Sequence, residues 1–374
     1  MQNVAIIGIL ILFSLFCQQT QKSYRGQGML VGKERELTVD SDAAVKLLQS
    51  SEAELRIPSL KELSSLVKRY SSDYATIFLL RAIYSNKFQE RSQKLYLNFA
   101  ETLKTTGLSK RDLVRLGKFQ FLFVPGLAYR LDTSTGADFA RQREWFEKRG
   151  IKTVLIETDE FGLAKDNALI IRKYLATHSD KRKIILVSAS KGSLDVLAYL
   201  NEIASPEETA RIHAWVNIGG INRGTLLADE FTKFPKSLLA KILLGFRGRS
   251  TELVKDLQRK QGPIESGKYF FPDTIKVIHF QGVLLESQVN DRIRSRYKIL
   301  KPFGPNDGLT LTIDSITPDG IVITEIGLDH YFQDPEIENK TAALALLAAD
   351  NKNIYNDLKI FNNQNILIKN TIEE

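Results

Sequence analysis

Residues 183–200, KIILVSASKGSLDVLAYL, decide how this chain is read. Ile184 to Val187 is an apolar run rich in β-branched residues, and it reads as a buried strand. Leu194, Leu197 and Ala198 then resume at helical spacing. Between them, Ser188-Ala189-Ser190-Lys191-Gly192 follows small-x-Ser-x-Gly, the pattern of a sharp strand-to-helix turn that lifts a serine clear of a sheet. The residues two before and two after that serine must be small, so that strand and helix can pass each other. The serine then lies under the positive N-terminal end of the helix. Ser190 is the candidate nucleophile, and Ser188 stands where such turns usually carry a glycine. An ordinary serine-rich turn has the same local pattern, so the rest of the chain must separate the two.

At 374 residues the chain holds one large domain or two average ones and is long enough to bury a sizeable core. Its net charge of +8 is spread through the sequence without a long basic run or a nucleic-acid motif. That favours an anionic surface or ligand over nucleic acid. Val4 to Phe16 is almost wholly apolar and is followed by the polar stretch Gln18 to Ser23. This is short for a membrane span and suits the core of an export signal, although no Lys or Arg precedes it. Cys17, the one cysteine, closes the apolar run like the lipidation site of a bacterial lipoprotein, with Phe16 where a small residue is usual. Residues 1–17 are thus expected to direct export to the cell envelope, with lipid attachment at Cys17 as one form of anchoring. A lone cysteine leaves no disulfide framework.

Residues 18–39 are polar and contain glycine, and read as a tether. Residues 40–118 alternate apolar and charged positions at helical spacing, with Asp40, Ser41 and Asp42 as caps for the first helix. No chemistry is visible in this region, which reads as a cap on the main domain or a partner-binding face. From Lys118 the texture changes. Strands are predicted at Phe119 to Val124, Ile151 to Glu157, the run ending at Val187, Ala214 to Ile218, Ile275 to Phe280 and Ile321 to Ile326, with helices between. Six strands alternating with helices predict right-handed crossovers and a parallel sheet covered on both faces, a doubly wound α/β domain over 119–374.

In such a sheet, ligands bind outside the carboxyl ends of the strands. His178 and His213 precede strands and fall at the wrong edge, while His279 lies inside one. His330, in Gly327-Leu328-Asp329-His330, follows the last strand and is the histidine placed to meet Ser190. The acid that would fix its tautomer should come from another carboxyl-end loop. Asp307, in Pro305-Asn306-Asp307-Gly308-Leu309, fits, although Asn-Asp-Gly is also turn chemistry. Asp314 and Asp319 lie nearer the opposite edge, and Asp329 is the histidine's own neighbour. Two backbone N–H groups should face the developing oxyanion. Lys191 follows the nucleophile, and Gly126-Leu127 follows the first strand, with Leu127 as donor and Gly126 allowing close approach.

Taken together, these residues resemble the α/β-hydrolase family, and its lipase-like members most closely. The likeness spans about Phe119 to Phe332 and rests on the Pro-Gly-Leu loop, the Ser190 turn, Asn217-Ile218-Gly219-Gly220-Ile221-Asn222-Arg223-Gly224-Thr225, the Asp307 loop and the His330 loop. Ser188 in place of glycine, and the lack of a histidine before Gly126, depart from the pattern. The resemblance implies a Ser190, His330, Asp307 triad, with Gly126, Gly220 and Ile221 bordering the substrate. It also implies a lid inserted at about 229–274. There Phe231, Phe234, Leu238, Leu239, Ile242, Leu243 and Phe246 form an apolar stripe ringed by Lys233, Lys236, Lys241, Arg247 and Arg249. Such a helix packs over the active-site mouth or lies on a lipid surface.

The expected chemistry is hydrolysis of a carboxylic ester, small or lipid, through an acyl-enzyme, with no metal or cofactor and no nucleic-acid partner. Acyl transfer or thioester cleavage would use the same parts. The rival from another class is a non-catalytic envelope scaffold that keeps the fold and binds a partner through 40–118.

Overall fold

The computed structural model describes residues 22–51, 55–177, 180–232, 252–260, 271–272, 274–317 and 319–350. The export segment with Cys17, His178, and the lid stripe beyond Thr232 with its surrounding cations lie outside the described residues.

Residues 24–39 are not a tether. They form an antiparallel hairpin, β1 (Tyr24–Leu30) and β2 (Lys33–Val39), closed by Val31 and Gly32, both at positive φ. Two consecutive residues of that hand make the tight turn whose twist matches a hairpin. The glycines that suggested flexibility serve packing: a Cβ on Gly28 would lie 2.2 Å from the Leu48 carbonyl oxygen. The helix Asp42–Gln49 rests there, and Leu47 and Leu48 join Leu30, Leu37 and Val39 in one apolar cluster.

The main sheet has six parallel strands, β3 (Phe119–Val124), β4 (Thr153–Leu155), β5 (Lys183–Ala189), β6 (Ile212–Ile218), β7 (Lys276–Val283) and β8 (Ile321–Ile326). Their order is β4-β3-β5-β6-β7-β8. Both faces are covered, which is why the strands read as mostly apolar runs rather than strict alternations. Phe121, Phe123, Ile185, Val187 and Val216 meet the helices Ala140–Glu147, Lys87–Thr105 and Ile337–Ala348 on one face. Leu122, Val124, Ile184, Leu186 and Trp215 meet Ala164–Thr177 and Lys191–Ala198 on the other.

The N-terminal helices belong to this packing. Leu63, Leu79 and Ile83 close over Val322 of β8. The helix Lys87–Thr105 runs along the free edge of β8 and bonds to it through two glutamines one turn apart. Gln89 accepts from the Val322 N–H (2.8 Å) and donates to the Gly320 carbonyl (2.9 Å). Gln93 accepts from the Thr324 N–H (3.0 Å) and donates to the Thr324 carbonyl (3.2 Å). Among the described residues, no helix is long and apolar enough to cross a membrane.

Candidate active site

The chain leaves β3 toward β4 on one side and leaves β5 toward β6 on the other. A crevice opens where neighbouring strands part in this way, outside their carboxyl ends. The loop after β3 carries Gly126 and Leu127, and the turn after β5 carries Ser190. Ser190 has φ 49° and ψ −120°, a conformation that costs energy for a side chain with a Cβ and that surrounding structure must hold. Its N–H donates to the Ile218 carbonyl at the end of β6 (3.2 Å). Gly192, two residues on, lies against β3: a Cβ there would meet the Pro125 and Val124 carbonyl oxygens at 2.3 and 2.6 Å.

His330 reaches Ser190 from three strands away. The loop after β8 folds back across the ends of β7 and β6, where Gly282 meets the Leu328 carbonyl and Gly219 meets the Phe332 ring, approaches a Cβ would block. His330 Nε2 then stands 2.9 Å from Ser190 Oγ, and its Nδ1 2.8 Å from Asp307 Oδ2. The other Asp307 oxygen accepts from the Leu309 and Thr310 N–H groups (2.9 and 2.8 Å). The His330 N–H donates to the Asp307 carbonyl (3.0 Å), tying the two loops together. Asp307 and His330 are buried while Ser190 is half-exposed, so the chain of bonds runs from a dry interior to an accessible hydroxyl.

The rival acids are engaged elsewhere. Asp314 pairs with Arg259 (2.8 and 2.9 Å), Asp329 accepts from Asn290 (2.8 Å), and Asp319 is exposed. His213 bonds to the Ala348 carbonyl at the opposite edge of the sheet. Gly126 spends its N–H on the Ala137 carbonyl (3.0 Å), and a Cβ on it would sit 3.4 Å from Ser190 Cβ. Among the described residues, neither the Leu127 nor the Lys191 backbone N–H has an acceptor. The Lys191 side chain is buried, with its ammonium 2.7 Å from Asp195, whose second oxygen accepts from Asn167 (2.9 Å). Its spacing along the sequence reads equally as an exposed pair, so this burial was not foreseeable.

A cavity of about 490 Å³ opens beside Ser190 and His330. Leu127, Ala128, Phe139, Ile218, Leu309 and Phe332 give it apolar walls, and Arg296 and Tyr331 give it a polar edge. Gly220 and Ile221 do not line it, contrary to expectation. Ile221 is buried in the apolar cluster on the far face, and Gly220 lies over Asn217, whose side-chain oxygen would be 1.9 Å from an added Cβ. The stretch 132–142, which carries no motif, supplies much of the wall instead. Among the described residues, no group of three or more His, Cys, Asp or Glu side chains could hold a metal ion.

Beneath the turn runs a second buried chain of bonds. Ser188 accepts from the Trp215 indole (2.8 Å) and meets Ser193 (2.9 Å); Ser193 donates to Asn217 (2.6 Å). Asn217 in turn donates to His279 Nδ1 (3.0 Å), whose Nε2 meets the Thr317 hydroxyl (2.8 Å). A glycine at position 188 would leave the buried indole N–H unpaired, which accounts for the serine. Burial lowers the His279 pKa to about 3. Below the ordinary histidine value near 6.5 the unfolded chain binds a proton that the folded chain refuses. Stability therefore falls as pH drops from about 6.5 toward about 3, by up to about 1.4 kcal/mol per pH unit. Urea midpoints at pH 7.5 and 5 should show that loss, and His279→Gln should lessen it. An equal loss in both chains would remove His279 as the cause.

No protein-family model matches the chain, and no curated protein does. Solved structures do. A metagenomic carboxyl esterase superposes with a TM-score of 0.50 at 23% identity, covering 67% of this chain and 77% of its own. A Bacillus licheniformis lipase in its mature form gives 0.46 at 23% identity, covering 57% of this chain and 85% of its own. Lipase 1 from Pelosinus fermentans gives 0.43 at 13% identity, over 61% and 98%. At such identities likeness speaks to architecture and leaves activity to the site. With six parallel strands, helices on both faces and a sharp serine turn after β5, this chain has the α/β-hydrolase fold.

Proposed function

We propose that this chain is a serine hydrolase of carboxylic esters. The observation that carries the reading is the unbroken series of hydrogen bonds from Ser190 through His330 to Asp307 at the mouth of an apolar cavity. Ser190 Oγ attacks the acyl carbon while His330 Nε2 takes its proton. The Leu127 and Lys191 N–H groups receive the charge that develops on the acyl oxygen. Collapse of the tetrahedral species expels the alcohol, which leaves with the proton held by His330. Water, deprotonated by the same imidazole, then releases the acid and restores Ser190. Asp307 holds His330 with its proton on Nδ1 throughout.

The apolar walls suit an acyl chain, and a lipid ester is the substrate class within this proposal. Export through residues 1–17, anchoring at Cys17 and association with a membrane surface complete it. A fluorophosphonate probe is expected to label the natural chain and to leave Ser190→Ala unlabelled. Labelling that persists in Ser190→Ala would assign the nucleophile elsewhere. A folded natural chain that stays unlabelled, with and without lipid, would end the hydrolase reading.

A further inference from the structure

The cavity lining carries one arginine, Arg296, that has no carboxylate partner among the described residues, and its chemistry is not used by the triad. Arg296 lines the cavity together with Ser190, His330, Leu309 and Tyr331. Its guanidinium donates to the Tyr331 hydroxyl (2.5 Å) and to the Arg292 carbonyl (3.1 Å). A guanidinium has five N–H donors, so most of them stay open to a ligand. Arg292 stacks on Tyr331, its guanidinium carbon 3.7 Å from the ring centre, and is not part of the cavity lining. Among the described residues, neither arginine has a carboxylate at ion-pair distance; the nearby Asp291 pairs with Arg294, and Asp329 binds Asn290 and the Tyr331 N–H. The other charged groups of the lining are Arg141, Asp132 and Asp138, the two aspartates keeping their charge. Arg141 is clamped by Glu338 (2.7 and 2.8 Å), while Asp132 and Asp138 hold backbone N–H groups of their own turns.

We infer that the site selects esters carrying a phosphate, held by Arg296 with Tyr331 and Arg292 behind it, while the acyl group occupies the apolar part of the cavity. The inference rests on the ester-hydrolase reading above. Arg296, without a carboxylate partner at the cavity, offers an anionic group such as a phosphate several charge-assisted donors, with Arg292 outside the lining and stacked on Tyr331. Because charge-assisted bonds to a guanidinium are directional and strong, they fix which end of the ester enters. A neutral ester would leave Arg296 without that partner.

Two soluble substrates that differ in one group test this: monobutyrylglycerol and monobutyrylglycerol phosphate, with butyrate release as the readout. The full chain should show a kcat/KM higher for the phosphate by about tenfold or more. The ratio should fall toward one in Arg296→Gln and stay intermediate in Arg296→Lys. Taking the ratio within each variant cancels any general loss of activity. A natural chain that cleaves both esters equally, or a preference that survives Arg296→Gln, overturns the inference and leaves the hydrolase reading standing. A chain that cleaves neither and resists the fluorophosphonate overturns both. Micellar lysophospholipid then separates two sources of the same group. Cleavage with the same dependence on Arg296 assigns a lipid headgroup, and dependence confined to the soluble ester assigns a small phosphate ester.

Discussion

Asp307→Asn is expected to lower kcat for ester cleavage by roughly 10³- to 10⁴-fold while leaving the fold intact. The direction follows from how Asp307 is held. One of its oxygens is committed to the Leu309 and Thr310 N–H groups, so an asparagine would place its carbonyl there. Its amide N–H₂ would then face His330 Nδ1, which could only accept. The imidazole proton would move to Nε2, the atom that must receive the Ser190 proton. The variant would bury no bare charge and fill the same volume, so its thermal midpoint should stay close to that of the natural chain. Steady-state kinetics beside a melting curve decide the matter. A variant within about tenfold of the natural kcat would mean that Asp307 does not set the tautomer.

Gly192→Ala is expected to cost both stability and activity. The added methyl would meet two backbone oxygens, those of Pro125 and Val124, at 2.3 and 2.6 Å. Backbone has little room to yield, so the penalty belongs at the upper end of overpacking, about 3 kcal/mol, or roughly 4 °C in Tm for a chain of this size. The strand end that must retreat is the one leading into Gly126 and Leu127, and Leu127 is the proposed oxyanion donor. Displacing one such donor removes about 10² in kcat. Calorimetry and kinetics on one preparation read both effects. An unchanged Tm would show that helix and β3 are not in contact at this point, and an unchanged kcat would remove the Leu127 N–H from the reaction.

Much of this arrangement was legible in the sequence because the physics concerned is local. Phe119 to Val124 reads as a strand because every one of its side chains is buried. The Ser190 turn reads as a turn because sterics admit only small residues on either side. Position relative to strand ends was enough to choose among four histidines. What was hidden depends on contacts distant in the chain. Gly26 and Gly28 looked like a tether because their use, the approach of the helix after β2, leaves no trace in composition. Gly220 and Ile221 were expected at the substrate, but the side chain of Asn217 turns back under Gly220 to reach Asn222 and His279. Arg296 sits in the short helix Arg294–Leu300, whose sequence carries no motif that points to the site.

The two glutamines along β8 define where the sheet stops. A parallel sheet needs something to occupy its last row of N–H and C=O groups, and an open row is a template for joining another chain. Gln89 and Gln93 present primary amides with the donor and acceptor of a peptide group, so they stand in for a seventh strand without being one. The boundary near residue 118, where the texture of the sequence changes, is accordingly not a seam. A chain begun there would lose the terminator of its own sheet.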